Sequence, residues 1–105
     1  MKYSRKHIIS LIRKNVKETD PDAEIILYGS RARGDEKKGS DWDVLILTHY
    51  PVSFREEQAF RHHLYDIELE TGEIVSTFVY SKTEWEQKHS ITPLYQEISR
   101  EGITL

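Results

Sequence analysis

The chain has 105 residues, enough for one domain with a hydrophobic core but too few for a second lobe. Its formal charge of −3 argues against non-specific nucleic-acid binding, which requires a basic surface. It contains no cysteine, which excludes disulfides and thiolate metal sites, and no apolar segment has the length of a membrane span. We therefore expect one domain over residues 1–105, located in the cytoplasm, without a membrane or nucleic-acid partner.

The first half of the chain contains one predicted helix and two predicted strands. Apolar residues recur at helical spacing between Ile8 and Val16, which predicts an amphipathic helix over residues 5–18. The apolar run EIILY stops at Gly29, which favours a strand buried on both faces. A loop marked by two further glycines leads to the second predicted strand, DWDVLILT.

The second half of the chain contains one predicted strand between helices. Ser53 and Glu56 have the spacing of a capping box, at the start of a helix that runs to about Glu70. The segment EIVSTFVYS is rich in β-branched and aromatic residues and predicts a third strand. A short helix over residues 84–88 and a final helix beginning at Pro93 follow. This order predicts an α/β (α+β) fold with a small mixed sheet of about three to four strands flanked by helices.

Two aspartates begin the second predicted strand. Asp41 and Asp43 are two residues apart, so their side chains leave the same face, whereas Trp42 points to the opposite face. Carboxylates this close repel each other unless a cation lies between them, and hard oxygen ligands of this kind favour Mg²⁺ or Mn²⁺. The alternative is that the pair is a solvated strand edge or a helix cap.

The segment after the first predicted strand has the composition of an anion site. Gly29 lets the backbone approach a ligand closely, and Ser30 with the following N–H groups can open a helical turn whose positive end faces an anion. Arg31 and Arg33 add fixed charge and bidentate donors. An ordinary turn with solvated arginines has the same composition. Together with the aspartate pair, however, the segment predicts metal ligands and a phosphate cradle at one edge of a sheet.

The stretch ILYGSRARGDEKKGSDWDVLIL, residues 26–47, resembles the signature of the DNA polymerase beta-type nucleotidyltransferases, and specifically of their minimal, single-domain branch. The resemblance implies that a nucleoside monophosphate is transferred from a nucleoside triphosphate such as ATP to a protein or small-molecule acceptor, with release of pyrophosphate. The residues that it assigns to the site are Gly29, Ser30, Arg31 and Arg33 for the phosphates, and Asp41 and Asp43 for catalysis and for one or two Mg²⁺ or Mn²⁺ ions.

One feature departs from the family pattern. Active members usually have a third carboxylate on the next core strand, whereas the third predicted strand here, IVSTFVY, contains no acid. Glu70 and Glu73 are the nearest candidates, and Ser76 or Thr77 occupies the position itself. The departure favours a second hypothesis, a weakened, nucleotide-binding module similar to an antitoxin that acts by binding a partner protein. A third hypothesis is an α/β domain in which GSRARG is only a turn.

The resemblance also implies a partner protein. Members of the minimal branch resemble antitoxins paired with a small helical toxin of the HEPN type, which some of them adenylylate. A HEPN-like helical protein is therefore the implied partner, either as acceptor or as toxin.

Overall fold

The computed structural model describes residues 3–105, which form a four-stranded mixed sheet with helices on both faces. The elements in chain order are α1 (Arg5–Thr19), β1 (Glu24–Tyr28), α2 (Ser30–Arg33), β2 (Trp42–Thr48), α3 (Phe54–Thr71), β3 (Val75–Ser81), α4 (Lys82–Lys88), α5 (Pro93–Glu101) and β4 (Ile103–Thr104). The strand order in the sheet is β3-β2-β1-β4. β2 and β3 run parallel, and β1 is antiparallel to both β2 and β4. The predicted fold class is confirmed.

Side-chain caps and a glycine define several helix boundaries. The hydroxyls of Ser81 and Thr92 accept backbone hydrogen bonds at the starts of α4 and α5. Gly72 follows α3 with φ 78°, a left-handed conformation that glycine adopts without steric cost. Ser53 precedes α3, but its side chain makes no capping hydrogen bond. The predicted capping box of Ser53 and Glu56 is therefore wrong, and this helix begins without side-chain help from its N-cap.

The sheet separates two apolar cores because side chains alternate between the faces of each strand. One face packs against α1 and α3, and its core includes Ile8, Ile12, Val16, Leu27, Trp42, Val44, Phe60, Leu64 and Ile67. The other face, which we call the α5 face, packs against α4 and α5, and its core comprises Tyr28, Leu45, Leu47, Trp85 and Ile98. Trp42 is thus a core residue on the face opposite the aspartates, as its position in the strand predicts.

Three details of the elements bear on the predictions. α2 is a single helical turn directly after Gly29, which confirms the helical turn predicted at Ser30. β2 begins at Trp42 rather than Asp41, so Asp41 lies in the preceding loop. β4 was not predicted: its two residues pair with β1 but are too few to produce a recognisable alternation. None of the helices in residues 3–105 combines the length and the hydropathy that a membrane crossing requires.

Candidate active site

The aspartate pair lies at the end of the sheet where β1 stops and β2 begins. Asp43 is in register with Tyr28 on β1 and with Ser76 on β3. Its side chain is partly buried and lies on the α5 face, whereas Asp41 is exposed in the loop before β2. The predicted pair is therefore brought to one place, with one carboxylate anchored in the sheet and the other at its rim.

The electrostatics of Asp43 fit a cation site. Burial is the main cause that raises the pKa of Asp43, and the negative charges of Asp41 and Glu97 raise it further, while Arg33 lowers it. Mutual repulsion of this kind is relieved by a cation. The two carboxylates offer hard oxygen donors, which is the chemistry that Mg²⁺ and Mn²⁺ require. The residues present therefore fit a divalent cation.

The side chains supply only part of such a coordination sphere. Across residues 3–105 no group of three or more His, Asp or Glu side chains is arranged to hold a metal ion. Mg²⁺ commonly keeps several waters and takes further ligands from substrate phosphates. A cation held by Asp41 and Asp43 would therefore depend on a nucleotide to complete its ligands.

Gly29 lies directly against the carboxylate of Asp43. A Cβ atom built on Gly29 would overlap Oδ2 of Asp43, closer than real Cβ atoms come to a neighbour. Gly29 also has φ 75°, which L side chains rarely adopt. Its carbonyl accepts hydrogen bonds from the N–H groups of Ala32 and Arg33, which closes the turn of α2. The glycine therefore lets the start of α2 and a carboxylate occupy adjacent space.

Arg31 lies away from the aspartate pair. Its Nε and Nη2 donate to the carbonyl oxygen of Ser40 at 3.2 and 3.0 Å. Its guanidinium also stacks over the ring of Trp42, 4.6 Å from the ring centroid. Because Trp42 points to the face opposite Asp43, these contacts fasten the loop that carries Asp41. This placement points to a role in ordering that loop, and contact between Arg31 and phosphates stays a prediction.

Arg33 lies on the side of the aspartate pair. Its Nε contacts Asp35 at 3.0 Å, and its Nη1 contacts Glu101 at 2.9 Å and Glu97 at 3.4 Å. Hydrogen bonds to Asp35 and Glu101 raise the pKa of Arg33, so the group is firmly cationic. Its charge also lowers the pKa of Asp43, which places the two groups within electrostatic reach. The last residue of α2 thus holds a positive charge near Asp43, where an anionic ligand is expected.

The third-strand position contains a hydroxyl rather than a carboxylate. Ser76 is in register with Asp43 and is exposed, while Thr77 points to the opposite face. Glu73 accepts from Nε1 of Trp42 at 3.4 Å, which places it on the face away from Asp43. Glu70 is exposed in the last turn of α3, on that same face. Neither glutamate that the sequence suggested joins the aspartate pair.

Glu97 is the acid that sequence reasoning missed. It lies on α5, next to the buried Ile98, and α5 packs on the face of the sheet that carries Asp43. Its charge contributes to the raised pKa values of Asp43 and Tyr28, which places it within electrostatic reach of both. The sequence gives no signal for this contact, because Glu97 is far from the GS and DWD motifs along the chain.

The phenol of Tyr28 provides a test of this electrostatic environment. Burial, with the charges of Asp43 and Glu97, raises its pKa from 10.0 to about 12. In the unfolded chain the phenol ionises near pH 10, so the unfolded state loses its proton first and folding stability falls between pH 10 and about 12. We expect urea denaturation in EDTA to show a steeper loss of unfolding free energy for the wild type than for Tyr28→Phe over this interval. Parallel pH profiles would contradict a buried phenol beside two carboxylates.

Comparison with known families decides the kind of site. The family described as nucleotidyltransferase domain matches residues 9–99, which is most of the chain. The chain belongs to the nucleotidyltransferase domain family. The predicted family is therefore confirmed, and the GS and DWD motifs lie inside the matched range. Membership also agrees with the geometry, in which a glycine turn, an arginine and two aspartates converge.

Individual relatives agree with the family assignment. A protein of Methanocaldococcus jannaschii that is named as a candidate protein adenylyltransferase is 42% identical over 65 residues, which cover 56% of this chain and 60% of that relative. The matched part is thus less than two thirds of that relative's length.

Solved structures of toxin-antitoxin complexes share the fold. A chain of a complex crystallised with AMP-PNP superposes with a TM-score of 0.62 at 18% identity, covering 97% of this chain and 72% of that one. A chain of the MntA-HpeT complex, in a mutant with two aspartates replaced by glutamate, gives 0.59 at 16% identity with the same coverages. At these identities the likeness shows a common nucleotidyltransferase fold.

Proposed function

We propose that this chain is a minimal nucleotidyltransferase that transfers AMP from ATP to a protein acceptor in a reaction that requires Mg²⁺ or Mn²⁺. The observation that carries the proposal is the contact between Gly29 and the carboxylate of Asp43. This contact brings together the turn suited to phosphates and the pair suited to a cation. A nucleotide whose polyphosphate chain binds at α2 would thus place its reactive phosphate next to the cation.

The phosphate side of the proposed site consists of α2 and Arg33. The first N–H groups of a helical turn have no partner within that turn, so those of Ser30 and Arg31 are available to phosphate oxygens. Arg33 is held by carboxylates that phosphate oxygens could replace, and it would stabilise the charge on departing pyrophosphate. Arg31 supports the site indirectly, because it fastens the loop before β2 through Ser40.

The cation side consists of Asp41 and Asp43. When bound, a cation would neutralise the negative charge that develops on the phosphate oxygens during in-line displacement at the α-phosphorus. The rigid strand β2 fixes the position of Asp43, and the loop fastened by Arg31 carries Asp41. The MntA-HpeT mutant supports this assignment, because its two replaced aspartates have the same spacing of two residues.

The proposed acceptor is a protein, and a toxin of the HEPN-like helical class is the proposed partner. The relative from Methanocaldococcus jannaschii is named for adenylylation of protein, and the structural neighbours are toxin-antitoxin complexes, one of them with the ATP analogue AMP-PNP. Both observations favour a partner protein over a small-molecule acceptor, and adenine over other bases.

One observation favours a second candidate function. Ser76 occupies the strand position beside Asp43, so no carboxylate on β3 can remove a proton from an acceptor hydroxyl. The second candidate is a nucleotide-binding module that acts by contact with its partner and transfers AMP slowly or not at all.

The test uses ATP labelled on either the α- or the γ-phosphate. The purified chain is incubated with each label and a soluble protein extract of the source organism, with Mg²⁺ or with EDTA. We expect the wild type, but not Asp41→Asn, Asp43→Asn, to add label from α-labelled ATP to protein above the level of the extract alone, and only with Mg²⁺. Label from the γ-phosphate that rises above the level of the extract alone when the wild-type chain is added would contradict nucleotidyl transfer. Absence of transfer, with Mg²⁺-dependent ATP binding in calorimetry, would identify the binding module, and absence of binding would contradict both functions.

A further inference from the structure

β3 forms an open edge of the sheet. In the described part of the chain it pairs only with β2, whereas the outer side of β1 is covered by β4. β3 has seven residues, VSTFVYS, without a charge or a proline. Natural sheets protect their edges with charges, prolines, bulges or short strands. β3 contains no charged residue and no proline, and it is not short. Its outward N–H and C=O groups are a template for another strand.

A groove of about 110 Å³ follows this edge, between β3 and α3. It is lined by Arg61, Leu64, Tyr65, Glu68, Val75 and Thr77. Thr77 is only 6% exposed, and among residues 3–105 no hydrogen-bond partner exists for its hydroxyl. A buried hydroxyl without a partner is unfavourable. The groove therefore contains a buried polar atom that has no partner among the described residues.

Apolar side chains are exposed on both sides of the same edge. Tyr65 on α3 is 53% exposed on one side, and Phe78 on β3 is 41% exposed on the other. A strand added to β3 would cover both rings as well as the backbone groups between them. The edge, the hydroxyl and the two rings thus fit one kind of occupant, an uncharged extended strand.

We propose that β3 pairs antiparallel with β3 of a second copy of this chain, about a two-fold axis that passes through Thr77. In this register the two Thr77 hydroxyls lie opposite each other and hydrogen-bond across the axis, a favourable cross-strand pair. The strand carries no charge, so pairing with itself produces no repulsion. The arrangement is independent of nucleotidyl transfer, because the second copy pairs with the open edge of β3, whereas Asp43 lies on the neighbouring strand β2.

The charges along the groove favour a second copy over an unrelated strand. Arg61 and Glu68 lie two helical turns apart on the same side of α3, with Tyr65 between them. Arg61 contacts Glu57 of its own helix through Nε and Nη2. A two-fold axis reverses the direction of the groove, so the remaining side of the Arg61 guanidinium faces Glu68 of the other copy, and the reverse. Self-complementarity of this kind is the property that an isologous interface requires.

Sedimentation velocity over a range of concentrations tests the proposal with charge reversals. We expect the wild type to dimerise, and Arg61→Glu or Glu68→Arg each to raise the dissociation constant of the dimer by at least about tenfold, because like charges then face each other. The double variant restores opposite charges and is expected to return within about threefold of the wild type. A wild type that stays monomeric at all concentrations, or a double variant as weak as the singles, would overturn the proposal.

A lysine at the edge provides a matched control. Phe78→Lys introduces a charged edge residue and is expected to abolish the dimer, whereas Ile91→Lys changes a side chain that is 90% exposed and does not line the groove. Circular dichroism is used to check that both variants fold, and ATP binding is expected to be unchanged in both. Equal effects of the two lysines on the dimer, or no effect of Phe78→Lys, would contradict pairing through β3.

Discussion

The double replacement Asp41→Asn, Asp43→Asn is expected to weaken Mg²⁺-dependent ATP binding by at least about 30-fold, roughly 2 kcal/mol. Asparagine keeps the size of each side chain but removes the charge that holds a cation against the phosphates. The fold is expected to persist, because the pKa of Asp43 is raised by burial and by Asp41, so the charged pair opposes folding rather than supporting it. Calorimetric titration of ATP, with Mg²⁺ and again with EDTA, measures the effect.

Asp66→Asn is the matched control for this experiment. Asp66 is exposed on α3, and its replacement makes the same chemical change once, away from the site. Equal ATP affinity for the control and the double variant would contradict a cation site at the aspartate pair. Loss of folding in the double variant would show instead that the two carboxylates are structural.

Gly29→Ala is expected to abolish measurable ATP binding and to lower the free energy of unfolding by about 2–4 kcal/mol. About 1–3 kcal/mol comes from placing an L side chain at φ 75° and ψ −160°, a region that is essentially restricted to glycine. The rest comes from forcing the Asp43 carboxylate away from the new methyl group, which is a form of overpacking. Because the displaced carboxylate is a proposed cation ligand, binding is lost together with stability. Urea denaturation and calorimetry measure the two effects.

Gly39→Ala separates backbone strain from the clash. Gly39 has φ 84°, but a Cβ atom there would meet nothing within 4 Å. This variant is therefore expected to lose about 1–2 kcal/mol of stability and to keep ATP affinity within about twofold of the wild type. If Gly29→Ala and Gly39→Ala bind ATP equally well, the contact between Gly29 and Asp43 has no role in binding.

The sequence predicts the centre of the site because its key residues are close along the chain. Gly29 directly follows β1, and Asp43 is the second residue of the neighbouring antiparallel strand β2, so the pairing of the two strands brings them together. Strand alternation alone places Trp42 and Asp43 on opposite faces. The fold class follows from the same periodicities, and the structure confirms it.

The parts of the site that the sequence does not reveal depend on distant contacts. The packing of α5 brings Glu97 within electrostatic reach of Asp43. Periodicity marks only the buried side of that helix, Ile98 included. Arg31 and Arg33 look equivalent in the motif, yet one stacks on Trp42 and the other faces Glu101. Two residues apart on a helix, the two side chains point about 200° away from each other, and tertiary contacts decide which side each takes.

The short strand β4 limits how the molecule can assemble. Ile103 and Thr104 occupy the outer side of β1, so one border of the sheet is closed by the chain itself. If β3 of two copies pair, the joined sheet has eight strands and ends in a β4 at each border. Neither border then offers a long strand to a third copy, so growth stops at the dimer instead of continuing into a filament. The two residues of β4 would thus limit assembly to a dimer and prevent growth into a fibre.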